Sequence, residues 1–401
     1  MKKIMILGAG ILQVPAIEKA KEMGLEVVVV DINPTAVGFN IEGISKEVIS
    51  TIDTPKILKA AKRHHINGIM TMASDMPMRS VAAVSREMGL VGISEDTALK
   101  ATNKAFMRDA LKENKVPIPL YFRVQEKTRF VDAIKNIREL GYRCIVKPTD
   151  NSGSRGVDLI TDTSNLDKVY EYTMANSRSG EIIVEEYMEG PEVSVETIAL
   201  EGQIHIIQIT DKLTTGAPYF VEMGHSQPSL LGEETKRKIV EIAIAANKAI
   251  GIENGPAHTE IKVTQNGPRI VELGARLGGD CITSHLVPLS TGVDMVESCI
   301  KIALGEKPDL KPKWNKGAAI RYLNPMQGIV KNISGIAETE SMEGIVQVVI
   351  VHGVGEHIGE TKSSLDRAGF IISKGENALE AISNVECACQ NIMFCIEEQM
   401  I

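Results

Sequence analysis

The sequence predicts a mixed α/β fold: an open parallel sheet first, an α+β centre next, and a small α+β extension last. Three observations carry that prediction. Short apolar runs, such as 27–30, alternate with helical patterns through residues 1–93, the signature of strand–helix–strand units. Strand patterns then follow one another with few helices between, at 181–187, 192–199, 203–210 and 258–274. After residue 315 short strands alternate with turns. The 401 residues are 43% hydrophobic and 24% charged, ordinary for a globular chain holding about two to three domains.

Composition excludes several classes. A net charge of −8 argues against broad nucleic-acid binding through phosphates. No apolar run approaches a membrane span. The run that follows Lys2 and Lys3 stops after four residues and continues as strand, turn and helix, so no leader is expected and the compartment expected is the cytoplasm. Six cysteines at 144, 281, 299, 387, 389 and 395 form neither a Cys-x-x-Cys pair nor a zinc set. Free thiols are expected.

Residues 3–7 read as a buried strand, Gly8 to Gln13 as a turn into a helix, and 26–30 as a second strand closed by Asp31. Gln13 replaces the third glycine of G-x-G-x-x-G, so the loop is read as scaffold beside a substrate pocket rather than as an NAD seat. Asp53, Thr54 and Pro55 cap a helix that ends with His64 and His65 exposed. A strand at 66–72 delivers Ser74 and Asp75 at its carboxyl end, where open sheets bind ligands. Helices follow at 79–88, after Ser94 and after Asn103, then a Pro-containing linker at 116–119 and a helix at 128–140.

The strand 143–146 runs straight into Lys147-Pro148 and a Gly/Ser loop ending at Gly156. Backbone N–H groups and serine hydroxyls can surround phosphate oxygens there while Lys147 supplies the charge. No Gly-Lys-Ser/Thr follows, so it is not a Walker loop; a plain surface hairpin is the alternative. Ser164 and Asp167 read as the next helix cap. Residues 214–228, with Tyr219, Glu222 and His225, read as a polar loop long enough to suggest function. An amphipathic helix occupies 233–250.

The segment 258–274 reads as a hairpin with Glu260 and Glu272 on opposite arms. A two-residue turn at Asn266-Gly267 would pair Ile261 with Glu272 and separate the carboxylates onto two faces. A three-residue loop, 265–267, pairs Glu260 directly with Glu272. Like charges so opposed call for a cation, and Mg²⁺ takes one or two carboxylates plus phosphates and water. Arg276 adds a fixed positive charge. A second polar loop holds Thr283, Ser284 and His285, Asp294 caps a helix ending at Gly305, Trp314 is expected in the core, and a helix over 377–395 closes the chain.

In this order the signals resemble the ATP-grasp superfamily of carboxylate–amine and carboxylate–thiol ligases over residues 1–320. The resemblance implies a pre-ATP-grasp domain at 1–93, linker helices at 94–118, and ATP-grasp central domains divided into a lid at 119–190 and a metal and substrate part at 191–312. The extension is 313–401. Lys104 and Lys147 look like the two nucleotide lysines, and Ser152, Gly153, Ser154 and Gly156 like the loop over the phosphates. Glu185, Glu186, Tyr187 and Met188 are similar to the adenine hinge and Glu192 to the ribose-binding acid. Glu260 and Glu272 match the metal pair, and Arg276 matches the arginine that, with Lys147, stabilises the transferring phosphoryl group. D-alanine–D-alanine ligase and its relatives carry Asn two residues after the second glutamate; here that residue is Gly274.

The run Glu-x-Gly-Ala-Arg-Leu-Gly-Gly instead resembles the branch of bacterial L-amino-acid (dipeptide) ligases and carbamoyl-phosphate-synthase-like proteins. There an acid and a histidine help bind the first amino acid, parts that Glu222 and His225 match. Ser74, Asp75, Arg276, Gly278 and Gly279 are the other substrate-side candidates. The resemblance implies ATP with Mg²⁺, Mn²⁺ as its substitute, and a small carboxylate and an amine as partners, with no nucleic acid and no membrane. A homodimer is the assembly considered. Two other readings stay open: a purine-biosynthetic type acting on a ribonucleotide, for which the loops at 8–13 and 73–79 offer only Arg79, and a non-catalytic nucleotide-binding protein.

Overall fold

A computed structural model describes residues 1–151, 153 and 155–397. It opens with a parallel sheet ordered β3-β2-β1-β4, built from β1 (Lys3–Leu7), β2 (Glu26–Asp31), β3 (Ser45–Val48) and β4 (Gly68–Thr71). The returning helices are α1 (Val14–Glu22), α2 (Thr54–His64) and α3 (Pro77–Met88). Asp53 accepts from the Lys56 N–H and starts α2, and left-handed Gly89 ends α3. His64 is not a free helix end, because its Nε2 lies 2.6 Å from Glu47. His65, at φ 52°, turns the chain out of α2.

The altered glycine fingerprint has a structural reason. Gln13 Nε2 donates to the Met72 carbonyl at 2.6 Å, and its Oε1 accepts from the Gly10 N–H at 3.1 Å. Asp31 accepts from the Ala9 N–H at 2.7 Å. The loop thus uses internally the donors and the acid that a dinucleotide site leaves for pyrophosphate and ribose.

Helices α4 (Glu95–Thr102) and α5 (Lys104–Glu113), capped by Ser94 and Asn103, lead to a second sheet. That sheet, ordered β5-β8-β6-β7, contains β5 (Tyr121–Val124), β6 (Cys144–Pro148), β7 (Asp158–Ile160) and β8 (Ile182–Glu186), with α6 (Lys127–Glu139) and α7 (Leu166–Ala175) packed on it. Phe130, Ile134, Val146 and Val184 form its core. The cap near 164 is Asp162, which accepts from the Ser164 N–H over a 3₁₀ turn that precedes α7.

The third sheet has eight strands in the order β13-β12-β9-β10-β11-β14-β18-β16. In chain order the remaining elements begin with β9 (Glu192–Leu200), β10 (Gln203–Thr214), β11 (Glu222–Gln227), α8 (Glu233–Ile250), β12 (Gly255–Thr264) and β13 (Gly267–Gly274). They continue with α9 (Val287–Thr291), α10 (Met295–Ala303), β14 (Gly317–Leu323), β15 (Gly328–Ser334), α11 (Ile336–Glu340), β16 (Ile345–Ile350), β17 (His357–Ile358), β18 (Gly369–Gly375), α12 (Ala378–Asn391) and β19 (Met393–Glu397). A small sheet, β17-β15-β19, completes the C-terminal part.

Several sequence expectations are corrected here. The polar stretch 222–227 is a strand, because β10 and β14 pair with it on either side and satisfy its backbone. The loop at 282–286 is a π-helical turn that feeds α9. The last helix stops at Asn391, where Ile392 turns extended, and β19 then pairs with β15. Trp314 is 45% exposed, with its indole N–H on the Leu289 carbonyl, rather than in the core. All six cysteines are free. Among the described residues no helix is long and apolar enough to cross a membrane.

Candidate active site

Strand alternation builds one wall of a cleft. Residues paired across neighbouring strands share a face, and here the pairings set out three rows. The first is His225–Lys212–Glu192–Lys262, the second Thr210–Ser194–Glu260–Glu272, the third Gln208–Glu196–His258–Gly274. The second row depends on an irregularity. The hairpin turns at Gln265-Asn266, with Thr264 opposite Gly267, which is neither loop expected from the sequence. The Thr264 hydroxyl accepts from the Asn266 N–H and donates to the Gly267 carbonyl, holding that turn. A bulge at Val271 then restores register, so Glu260 faces Glu272.

Charges on this wall alternate. Lys212, 3% exposed, lies 2.7 Å from Glu192, 2.9 Å from Glu260 and 3.6 Å from Glu222. Burial alone would discharge it, but those three carboxylates hold its ammonium well above the ordinary lysine range. Burial likewise opposes ionisation of Glu260, and Lys212 and His258 outweigh it, keeping the carboxyl well below its usual range. His258 Nδ1 is 2.7 Å from Glu196, and its Nε2 is 3.4 Å from Glu260. Against the cost of burial these acids raise its pKa to about 9. A Cβ at Gly278 would approach His258 Nδ1 to 2.8 Å and Glu196 Oε2 to 3.0 Å, so only glycine fits beside this pair.

The second sheet supplies the opposite wall. Lys147 from β6 lies 3.0 Å from Glu185, whose other partner is Arg108, at 2.5 Å and 3.2 Å. Arg108 and Glu185 are each 1% exposed. Burial would raise the Glu185 pKa, yet Arg108 and Lys147 bring it down to about 2. The run read as one adenine hinge is therefore divided by alternation. Glu185 holds Lys147, and Glu186 accepts from Arg269 and from the Leu120 N–H. Tyr187 and Met188 line the cleft, with the Phe220 ring 6.0 Å from that of Tyr187. Lys104 bridges the walls, 2.7 Å from Glu272 and 2.8 Å from the Asn151 carbonyl. The cleft thus brings together Lys104, Lys147, Glu192, Glu260 and Glu272. Gly153 also lines it, and Gly156 packs against Pro148 and Asn176. Ser152 and Ser154 lie outside the described residues.

Beyond the carboxylates the loop 275–281 meets both ends of the chain. Arg276 Nε donates to Asp75 Oδ1 at 2.8 Å and Nη2 to Oδ2 at 3.4 Å, joining residues 201 positions apart. This pair also bears on Gly274: a Cβ there would lie 2.8 Å from Asp75 Oδ1 and 3.2 Å from Arg276 Nε, so a side chain at this position would displace the pair. Ser74 sits 3.4 Å from Gln13 Nε2. Thr214 pairs with Glu222 and Lys212 with His225, so a bulge at Met223 brings Glu222 and His225 to one face. Gly279 has Ala73 and Leu12 beside it. Lys212, Arg108, Glu196, His258, Asp280 and Arg367 escaped the sequence reading. For Lys212 there was a signal, a lysine between Thr210 and Thr214 on one face of β10.

Residues 140–284 match the ATP-grasp domain, and residues 321–397 match the L-amino acid ligase C-terminal domain 2. Through these two segments the chain carries an ATP-grasp domain and resembles L-amino acid ligases. It is 31% identical to the alanine–anticapsin ligase of Bacillus subtilis over 64% of this chain, and spans 58% of that relative's length. The fold is shared with the L-amino acid ligase of Bacillus licheniformis, at TM-score 0.84 and 22% identity over 99% of each chain. It is shared too with phosphoribosylglycinamide synthetase from Anaerococcus prevotii, at TM-score 0.80 and 23% identity, over 99% of this chain and 100% of the other.

Proposed function

We propose that this protein activates a small carboxylate, an amino acid, as an acyl phosphate and joins it to an amine, releasing ADP and phosphate. The observation that carries the reading is the Glu260–Glu272 pair, turned into one cleft with Lys104 and Lys147. In this reading the substrate carboxylate attacks the γ-phosphorus of ATP, the bond to the β-phosphate oxygen breaks, and ADP leaves. The amine then adds to the acyl carbon and inorganic phosphate departs. Such transfers need positioning and charge neutralisation more than covalent help. Lys104 and Lys147 would hold phosphate oxygens, with Glu185 fixing the Lys147 ammonium. Tyr187 and Met188 would face adenine, Glu192 the ribose, and Arg276, aimed by Asp75, the transferring phosphoryl group.

The donor set fits Mg²⁺, since two carboxylates face each other and phosphates and water can complete the shell. Among the described residues no three His, Cys, Asp or Glu side chains form a metal cage. Bound there, Mg²⁺ would neutralise charge on the phosphates. A ribonucleotide substrate is the second reading, favoured by the shared fold alone. Arg79, the basic residue open to it, is engaged by Thr102 at 2.7 Å.

The test is phosphate release from ATP and Mg²⁺ over amino acids offered singly and in pairs. Release confined to particular pairs, with an amide in the product, is expected. ATP binding with no release from any pair would overturn the amino-acid reading, and release with a ribonucleotide acceptor would favour the second.

A further inference from the structure

Asp280 closes the Gly278-Gly279 turn at φ 51°, and Cys281 follows at φ 61°. Two consecutive non-glycine residues in the left-handed region are held only where their surroundings fix them. The fixing group comes from the far end of the chain. Arg367 donates to both Asp280 oxygens, at 2.8 Å and 2.9 Å, and to the Glu222 carbonyl at 3.2 Å, while its guanidinium lies 3.6 Å over the Tyr322 ring. Asp280 in turn meets His225 Nε2 at 3.4 Å. Arg367 and His225 hold its carboxyl far below the usual range against the cost of burial, so it acts as an acceptor only. Nε2 then carries a proton toward Asp280, which fixes the ring and leaves Nδ1 as its second polar atom. His225 is 1% exposed and its Nδ1 has no partner among the described residues. A buried polar atom of this kind calls for a ligand.

We propose that Arg367, acting through Asp280, is a positioning residue of the substrate site, fixing the His225 imidazole so that its Nδ1 is presented to a polar group of the amino-acid substrate. The C-terminal segment is then part of the site. His225 and Glu222 face the same way on β11, and Arg367 touches the backbone of one and the partner of the other. This inference rests on the amino-acid reading for the identity of that substrate, but its geometry can be tested without it.

Two measurements decide it. With the amino-acid pair that gives most phosphate release, Arg367→Ala and Asp280→Asn should raise KM for one amino acid about tenfold or more, the scale of one charge-assisted hydrogen bond. KM for ATP should stay within about twofold. Arg367→Lys should recover little, because a lysine cannot make the paired contact or the stacked one. His225→Ala combined with Arg367→Ala should be no worse than His225→Ala alone. Unchanged KM values, or a parallel rise for ATP, would overturn the proposal. The second measurement is hydrogen exchange of the full-length protein without substrates. Peptides covering 276–286 should exchange faster in Arg367→Ala than in wild type, with β6 and β8 unchanged. If wild type makes no amide but this exchange difference is seen, the amino-acid reading fails and the positioning role stands; no difference there sinks the positioning role itself.

Discussion

At the scale of single residues, the site is a set of counter-charges. Lys147 points where it does because Glu185 receives it, and Glu185 stays ionised because Arg108 stands behind it. Replacing Lys147 or Arg276 by alanine should lower turnover on the order of 10²-fold or more, the loss seen when one preorganised charge is removed from a water-poor site. Steady-state ATP turnover checks this, alongside thermal melts that show the variants folded; a folded variant with wild-type turnover would remove that residue from the mechanism. Lys147 was legible in the sequence because a lysine leaving a strand into a Gly/Ser loop has few other uses. Glu185 was legible as a site residue but not in its role. Its partner Arg108 lies 77 positions away, and no local pattern encodes a contact at that distance.

At the scale of elements, what could be read was alternation, and what could not was its interruption. The rows that carry Glu192, Glu260 and Lys212 follow from period-two strands. The bulges at Val271 and Met223 do not, because an extra residue looks like any other in a strand. Cap residues were plain at Asp53, Ser94, Asn103 and Asp294, where a side chain bonds locally. The strand β11 was missed because its pairing partners, β10 and β14, are tertiary. The bulge makes a paired prediction. Deleting Val271 lets Glu272 follow Ile270 directly and still meet Glu260, so Mg²⁺ should continue to strengthen ADP binding. Stability should fall by about 1–3 kcal/mol as Arg108 loses the Val271 carbonyl, 2.7 Å away. Inserting one alanine after Val271 should turn Glu272 to the other face and remove the Mg²⁺ effect. Calorimetric titration of ADP with and without Mg²⁺ distinguishes them, and equal behaviour of the two variants would contradict the register argument.

At the scale of the whole molecule, one carboxylate joins four elements. Glu185 on β8 receives Arg108 from α5 and Lys147 from β6, and Arg108 also donates to the Val271 carbonyl on β13. The four-stranded sheet with β6 and β8 is thus tied to the eight-stranded sheet through the Arg108–Glu185 pair, beside the Arg269–Glu186 and Lys104–Glu272 contacts. Its pKa is lowered from 4.5 to about 2, since the two cations outweigh the burial that would raise it. A depressed folded-state value means that the unfolded chain takes up the proton first as pH falls. The stabilisation from Glu185 is complete above about 4.5 and is lost as pH drops through about 2, a contribution on the order of 3 kcal/mol. Glu185→Gln should cost about 3–5 kcal/mol near neutral pH, because Arg108 and Lys147 lose their shared carboxylate. The stability gap between wild type and variant should then narrow as pH falls below about 4.5, since protonated Glu185 resembles glutamine. Urea unfolding midpoints across that range measure the gap. A gap that stays constant down to about pH 2 would show that Glu185 is protonated already at neutral pH, and that another group aims Lys147.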